Sequence, residues 1–237
     1  MTAVTQFRLD TSPLNVLVML LLVSVLLNTL LAGAFIGAYA GGQPLTVRDF
    51  LAEGARAFGR FFRLSLFSLC LYYAFFTLAV DRINAAIPVW TAADASEMRP
   101  FVLYLVRTAA VFGILGIFVM WFDYAKVIIV ADDRASSVLA FTSAIWFSIR
   151  NAGATTLLFL LLSLAGLLLM ALFVLLESTF PQNTGWSIFW VFVLQQAFMF
   201  ARLGLGAAFY ASETRLYLDR TKEAYLRKMN NAARDVL

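Results

Sequence analysis

Five apolar runs, separated by shorter polar stretches, set the rhythm of this chain. They cover Leu14–Ala40, Phe61–Val80, Phe101–Trp121, Ala154–Leu176 and Trp186–Ala208. About 20 residues of helix cross a hydrocarbon core, and each run is of that order. None alternates polar and apolar positions, so a barrel strand does not fit the period. A segment alone in lipid must satisfy its own backbone, which leaves helix. All five prolines, at 13, 44, 88, 100 and 181, fall outside the runs. The pattern therefore predicts an all-α polytopic membrane helix bundle forming one integral membrane domain.

Two stretches between the runs keep helical period but divide into an apolar and a polar face. In "TVRDFLAEGARAFGRFFR", Thr46 is placed to cap and Asp49 stands at the third helical position. Val47, Phe50, Leu51, Phe58, Phe61 and Phe62 share one side. Arg48, Asp49, Glu53, Arg56, Arg60 and Arg63 share the other. This predicts a helix lying in the headgroup plane, with Arg48, Arg56, Arg60 and Arg63 toward lipid phosphates, or else a cytoplasmic cap packed on other helices. "SSVLAFTSAIWFSIRN" occupies the same place before the fourth run. Aligning Leu51-Ala52 with Leu139-Ala140 sets Phe58 on Trp146 and Phe62 on Arg150, a weak parallel repeat. After the fifth run, residues 213–237 predict a charged helical tail. It carries Leu218, Tyr225, Met229, Ala232 and Val236 near one face and a Glu223–Arg227 pair on the other.

Composition strengthens the membrane reading. The 237 residues are 62% hydrophobic and 14% charged, against about 25% charged in soluble domains. "AYA" at 38–40 mimics a signal-peptidase site. The first run is longer than a signal core, however, and Arg8 and Asp10 cancel ahead of it, so cleavage is not expected.

Basic residues fix the expected orientation. Thirteen lie between runs 1 and 2 (Arg48, Arg56, Arg60, Arg63), between runs 3 and 4 (Lys126, Arg134, Arg150) and in the tail (Arg215, Arg220, Lys222, Arg227, Lys228, Arg234). The opposite side holds three, Arg8, Arg82 and Arg99. The positive-inside rule then places the N-terminus outside and the C-terminus in the cytoplasm. The net charge of +4 suits anionic lipid rather than nucleic acid, because the basic residues flank the spans.

Small residues mark a packing face. Gly33, Gly37 and Gly41, with alanines between, form a groove on the inner half of the first span. In lipid, close backbone approach through small residues drives helix association. Another span, a second copy or a foreign subunit would fill it. Gly113 and Gly116 in the third run, and "GLGAA" at 204–208, lie at related depths.

Candidate chemistry inside the membrane is sparse. Arg107 lies near the outer end of the third run and Arg202 near the inner end of the fifth. Asp123 shares the depth of Arg202 and is expected to pair with it, with Lys126 one turn below. Gln195 and Gln196 sit at mid-membrane, and Asn28 in the inner half of the first run. Such groups serve either interhelical hydrogen bonding or a polar substrate path. The chain has no histidine, and Cys70 stands alone, so no metal centre, cofactor or internal disulfide is implied. Phosphate loops and nucleophile elbows are absent, and no enzyme is expected. "DD" at 132–133 before "RASS" predicts a turn and a helix start.

"FLAEGARAFGRFFRLSLFSLCLYY", "WFDYAKVIIVADDRASSVLAFTSAIWFSIRN" and "VLQQAFMFARLGLGAAFYASETRLYL" resemble stretches of uncharacterised bacterial inner-membrane proteins. In these an aromatic-arginine elbow precedes a span. They are akin to the membrane domain fused to some glycerophosphodiester phosphodiesterases. The resemblance covers residues 46–218 and implies a multi-span helical scaffold. Phosphodiesterase residues are missing here, so that activity is not implied.

Two function classes follow. One is a non-catalytic subunit or scaffold of a larger bacterial membrane complex, an energy-transducing one among the candidates. It would be held to other subunits or a second copy. The other is a small transporter or lipid-handling protein using Arg107, Gln195, Gln196 and Arg202.

Overall fold

A computed structural model describes residues 13–41, 46–92, 98–180 and 185–234. The chain runs as α1 (Pro13–Gly41), α2 (Val47–Phe75), a π-helical turn (Phe76–Val80), α3 (Asp81–Thr91), α4 (Met98–Ala131), α5 (Ser137–Arg150), α6 (Ala152–Ser178) and α7 (Gly185–Arg234). No strand occurs among the described residues. Five helical stretches are long and apolar enough to cross a membrane. The protein is a multi-pass membrane helix bundle.

The helices outrun the apolar patterns. From Val47 the chain stays helical through α2, the π turn and α3 for 45 residues, about 68 Å at 1.5 Å per residue. That is roughly twice the hydrocarbon thickness. Pro88 therefore lies inside a helix, near the end of α3, where few backbone bonds remain to be lost.

Thr46 caps α2 as the sequence predicts. Its hydroxyl accepts from the Asp49 amide at 3.3 Å and donates to the Asp49 carboxylate at 2.6 Å. The helix it starts, however, does not form a separate interfacial element. Gly54, Ala57, Phe61 and Leu64, spaced 3, 4 and 3, bury one stripe of α2, while Val47, Leu51 and Phe62 stay exposed. The parallel repeat fails at the same point: α5 is a separate helix joined to α6 through Asn151, whereas α2 runs on unbroken.

The buried stripe of α2 packs on the glycine face of α1. A Cβ on Gly54 would stand 2.6 Å from the Leu30 carbonyl oxygen. One on Gly33 would stand 2.9 Å from Ala57 Cβ, and one on Gly37 3.0 Å from Glu53 Cβ. The groove is thus filled from within the chain, by the segment expected to lie on the lipid surface and not by α4 or α7. Among the described residues, a Cβ on Gly41 or Gly113 meets nothing within 4 Å, and one on Gly116 only touches Phe159 of α6 at 3.5 Å. These three do not bring helices into backbone contact.

The hydrophobic core is concentrated at one end, where the arginine-rich connections gather. It joins Ala32 and Ile36 of α1, Ala57, Phe61 and Leu64 of α2, Met120, Phe122, Tyr124, Ala125, Val127, Ile128 and Ile129 of α4, Ala140, Phe141 and Ala144 of α5, and Tyr217 of α7. Phe122 stacks on Phe141 with ring centroids 4.6 Å apart, and Phe67 meets Phe141 edge-on at 5.2 Å. Away from this basic end burial is sparse, though α6 and α7 stay in contact where Phe173 stacks on Phe198 with ring centroids 4.4 Å apart. Every residue of α1 from Asn15 to Asn28 is exposed. An all-round apolar half-helix is matched to lipid rather than to water.

Candidate functional site

The polar groups that the fold brings together lie at the basic end, on the α4–α7 contact and on the turn after α4. Asp123 and Lys126 are one helical turn apart on α4 and pair at 2.7 Å, both mostly buried. The Lys126 ammonium also stands over the ring of Tyr210 of α7, 5.6 Å from its centroid. One turn along α7 from Tyr210 is Glu213, only 1% exposed. Its carboxylate interacts electrostatically with Asp123, Lys126, Tyr124 and Tyr210. Among the described residues neither Glu213 oxygen has a hydrogen-bond partner, and the same holds for the buried Tyr124 and Thr214 hydroxyls and the Ser148 hydroxyl of α5.

Two small clefts flank Lys126. One, about 160 Å³, is lined by Leu64, Ser65, Ser68, Tyr72, Val119, Phe122, Asp123 and Lys126. The other, about 110 Å³, is lined by Val25, Asn28, Thr29, Ala32, Phe61, Ser65, Lys126 and Tyr210. Each has room for several water molecules and offers them hydroxyl and charged partners.

A second polar knot closes the turn between α4 and α5. Asp133 adopts a left-handed backbone, φ 47°, which an aspartate tolerates better than most residues. Its carboxylate pairs with Arg60 of α2 at 2.7 Å. The same Arg60 nitrogen reaches the Ile129 and Arg134 carbonyls at 3.4 Å, and Ser137 donates to the Arg60 carbonyl at 2.9 Å. Arg134 pairs with Asp132 at 3.3 Å and donates to Ser143 at 2.7 Å. Tyr217 of α7 donates to Asp132 at about 3.0 Å. One turn thereby ties together α2, α4, α5 and α7.

Several sequence expectations change here. Asp123 is not paired with Arg202. Lys126 occupies it from the same helix, which needs less side-chain ordering than a bridge between helices, and Arg202 sits on an exposed face of α7. Arg60 is a structural clamp rather than a headgroup contact, with 14% of its side chain exposed. Arg48, Arg56 and Arg63 do lie exposed. Arg56 stands 3.6 Å from Glu53, and Arg63 reaches back to the Gly59 carbonyl. Arg107 is half-buried in the far part of α4, its Nε shielded and without an acceptor among the described residues. Gln195 is exposed and Gln196 half-buried. Arg107, Gln195, Gln196 and Arg202 line neither of the two clefts.

Glu213, Tyr124 and Tyr210 were not among the expected site residues. The signal lay in spacing: Tyr210, Glu213, Thr214 and Tyr217 repeat at 3 and 4, one face of a helix continuing past the fifth apolar run. No protein-family model, curated protein or solved structure matches the chain.

Proposed function

We propose that this chain is a non-catalytic subunit or scaffold of a bacterial inner-membrane complex, attached to a partner protein through the projecting end of α7. The supporting observation is the behaviour of that helix after Tyr217. α7 continues unbroken to Arg234, while Leu218–Glu223 and Tyr225 are all exposed. The 17 residues from 218 to 234 extend about 25 Å. In proteins, helical stability comes mostly from packing an apolar face rather than from propensity. With the basic end in the cytoplasm, the extension would present Leu218 and Tyr225 to a cytoplasmic or juxtamembrane surface. Lipid fits the far parts of the spans, so the bundle itself needs no partner to be solvated.

A photo-crosslinking amino acid at Tyr225, in membranes at native expression, tests this reading. A discrete adduct heavier than the 26.3 kDa chain supports it. No adduct, together with a lone monomer in native mass spectrometry across gentle detergents, overturns it.

A second reading, a small transporter or lipid-handling protein, is favoured by the Asp123–Lys126–Glu213 cluster beside its two clefts. It rests on these residues and not on the dispersed set of Arg107, Gln195, Gln196 and Arg202.

A further inference from the structure

We propose that the α4–α7 contact is a binding site for one monovalent cation, held at the carboxylate of Glu213. Three observations carry this. First, the charges do not balance: Asp123 and Glu213 contribute two carboxylates and Lys126 one ammonium, already bound to Asp123 at 2.7 Å. Second, Glu213 is 1% exposed and, among the described residues, no side chain or backbone group hydrogen-bonds to either of its oxygens. A buried unpaired charge is the expensive state of such a cluster. Third, unused oxygen ligands share the same two helices: the Tyr124 hydroxyl of α4 at 0% exposure, in electrostatic contact with Glu213, and the Thr214 hydroxyl of α7 at 1%.

The donor set is oxygen only, which suits a hard cation. Lys126, in electrostatic contact with Glu213, argues against a divalent ion by repulsion. Among the described residues no group of three or more acidic, cysteine or histidine side chains could hold one. The charge needed is a single positive one, supplied by a proton on the carboxylate or by an alkali ion beside it. The titratable groups around the site are Asp123, Tyr124 and Lys126 from α4 and Tyr210 from α7. Of the other packed helices, α2 brings Tyr72, in electrostatic contact with Asp123 and Lys126, while α1 carries only Tyr39, which is exposed, α6 only Glu177 at its far end, and α5 only Arg150, also exposed. The site belongs to the isolated chain and does not depend on any partner at α7.

The experiment uses the full-length chain in liposomes. One arm measures saturable ²²Na⁺ binding at constant ionic strength with choline as the replacement ion. The other follows the carbonyl stretch of protonated carboxyl groups by infrared difference spectroscopy across a pH series. Glu213→Gln and Asp123→Asn are run beside the wild type, and circular dichroism checks that each folds. The expected result is one cation per chain, lost in Glu213→Gln. It appears as stoichiometric sodium binding if the cation is an alkali ion, or as a protonated carboxyl band at neutral pH if it is a proton. Glu213→Gln keeps shape and removes the charge, so it should melt no lower than the wild type. Retention of either signal in Glu213→Gln, or absence of both signals in the wild type, overturns the proposal. Loss of the signal only in Asp123→Asn would also overturn it, by assigning the cation to the other carboxylate.

Discussion

Arg60 and Asp133, 73 positions apart in sequence, meet at 2.7 Å, and the contact locks the long second helix to the turn that ends α4. The pair alone is worth little, because Asp133 is 86% exposed and water screens it. Its weight comes from the carbonyls that share the Arg60 guanidinium and from Ser137, which returns a hydrogen bond to the Arg60 backbone.

Arg60→Ala should therefore lower stability by about 1.5–3 kcal/mol, the range for losing hydrogen bonds to a charged donor. Arg63→Ala, on the exposed face, should stay within about 0.5 kcal/mol of wild type. Thermal unfolding in a single mild detergent checks both. Equal effects for the two arginines would show that Arg60 is not a clamp.

The glycines divide into two groups that one assay can separate. A Cβ on Gly54 meets a backbone carbonyl at 2.6 Å, and backbone does not yield easily. Gly54→Ala should push α1 and α2 apart and destabilise by about 1–3 kcal/mol. Gly113, with nothing within 4 Å, should accept alanine with no loss and a gain of up to roughly 1 kcal/mol of helix propensity. Matching losses at both positions would contradict the α1–α2 packing described above.

The five spans and their helical type were legible because hydropathy and length bear directly on what crosses a membrane. What each face packs against was not. Residues 46–63 have an amphipathic pattern, and lipid headgroups explain such a pattern as well as a neighbouring helix does. The stripe Gly54, Ala57, Phe61 and Leu64 complements Gly33 and Gly37, yet periodicity tells only that a face is buried. Glu213 was hidden for a related reason. Once the fifth apolar run ends at Ala208, a following acid looks solvated, and only tertiary packing of the continuing helix removes it from water. Asp123 was legible as an intramembrane charge needing a partner, but depth alone could not choose Lys126 over Arg202.

That choice has a consequence for mutants. Asp123 and Lys126 are 15% and 24% exposed as side chains. Lys126→Met leaves two carboxylates and no ammonium in the cluster and should cost about 2–4 kcal/mol, slightly discounted for partial exposure. Adding Asp123→Asn to it should recover a large part of that loss, because the remaining carboxylate is then Glu213 alone. A double-mutant cycle in unfolding free energy reads the coupling. Additive losses would mean that the two groups do not act as a pair. Arg202→Met, by contrast, should couple to Asp123→Asn by less than about 0.5 kcal/mol.

Orientation is the remaining property that the basic residues predict and that labelling can decide. Arg56 stands at the basic end with its side chain 73% exposed, and Trp90 stands at the other end of the same continuous helix, 62% exposed. The 45 residues from Val47 to Thr91 are too long for both ends to remain in hydrocarbon, so each position should be within reach of water on its own side. Thirteen basic residues against three favour the basic end in the cytoplasm. In a Cys70→Ser background, Trp90→Cys should react with a membrane-impermeant maleimide in intact spheroplasts, and Arg56→Cys only after the membrane is opened. Neither substitution touches the clamp at Arg60 or the buried stripe of α2, so folding should survive both. Labelling of position 56 from outside, with position 90 protected, would reverse the topology and place the Glu213 cluster at the outer face.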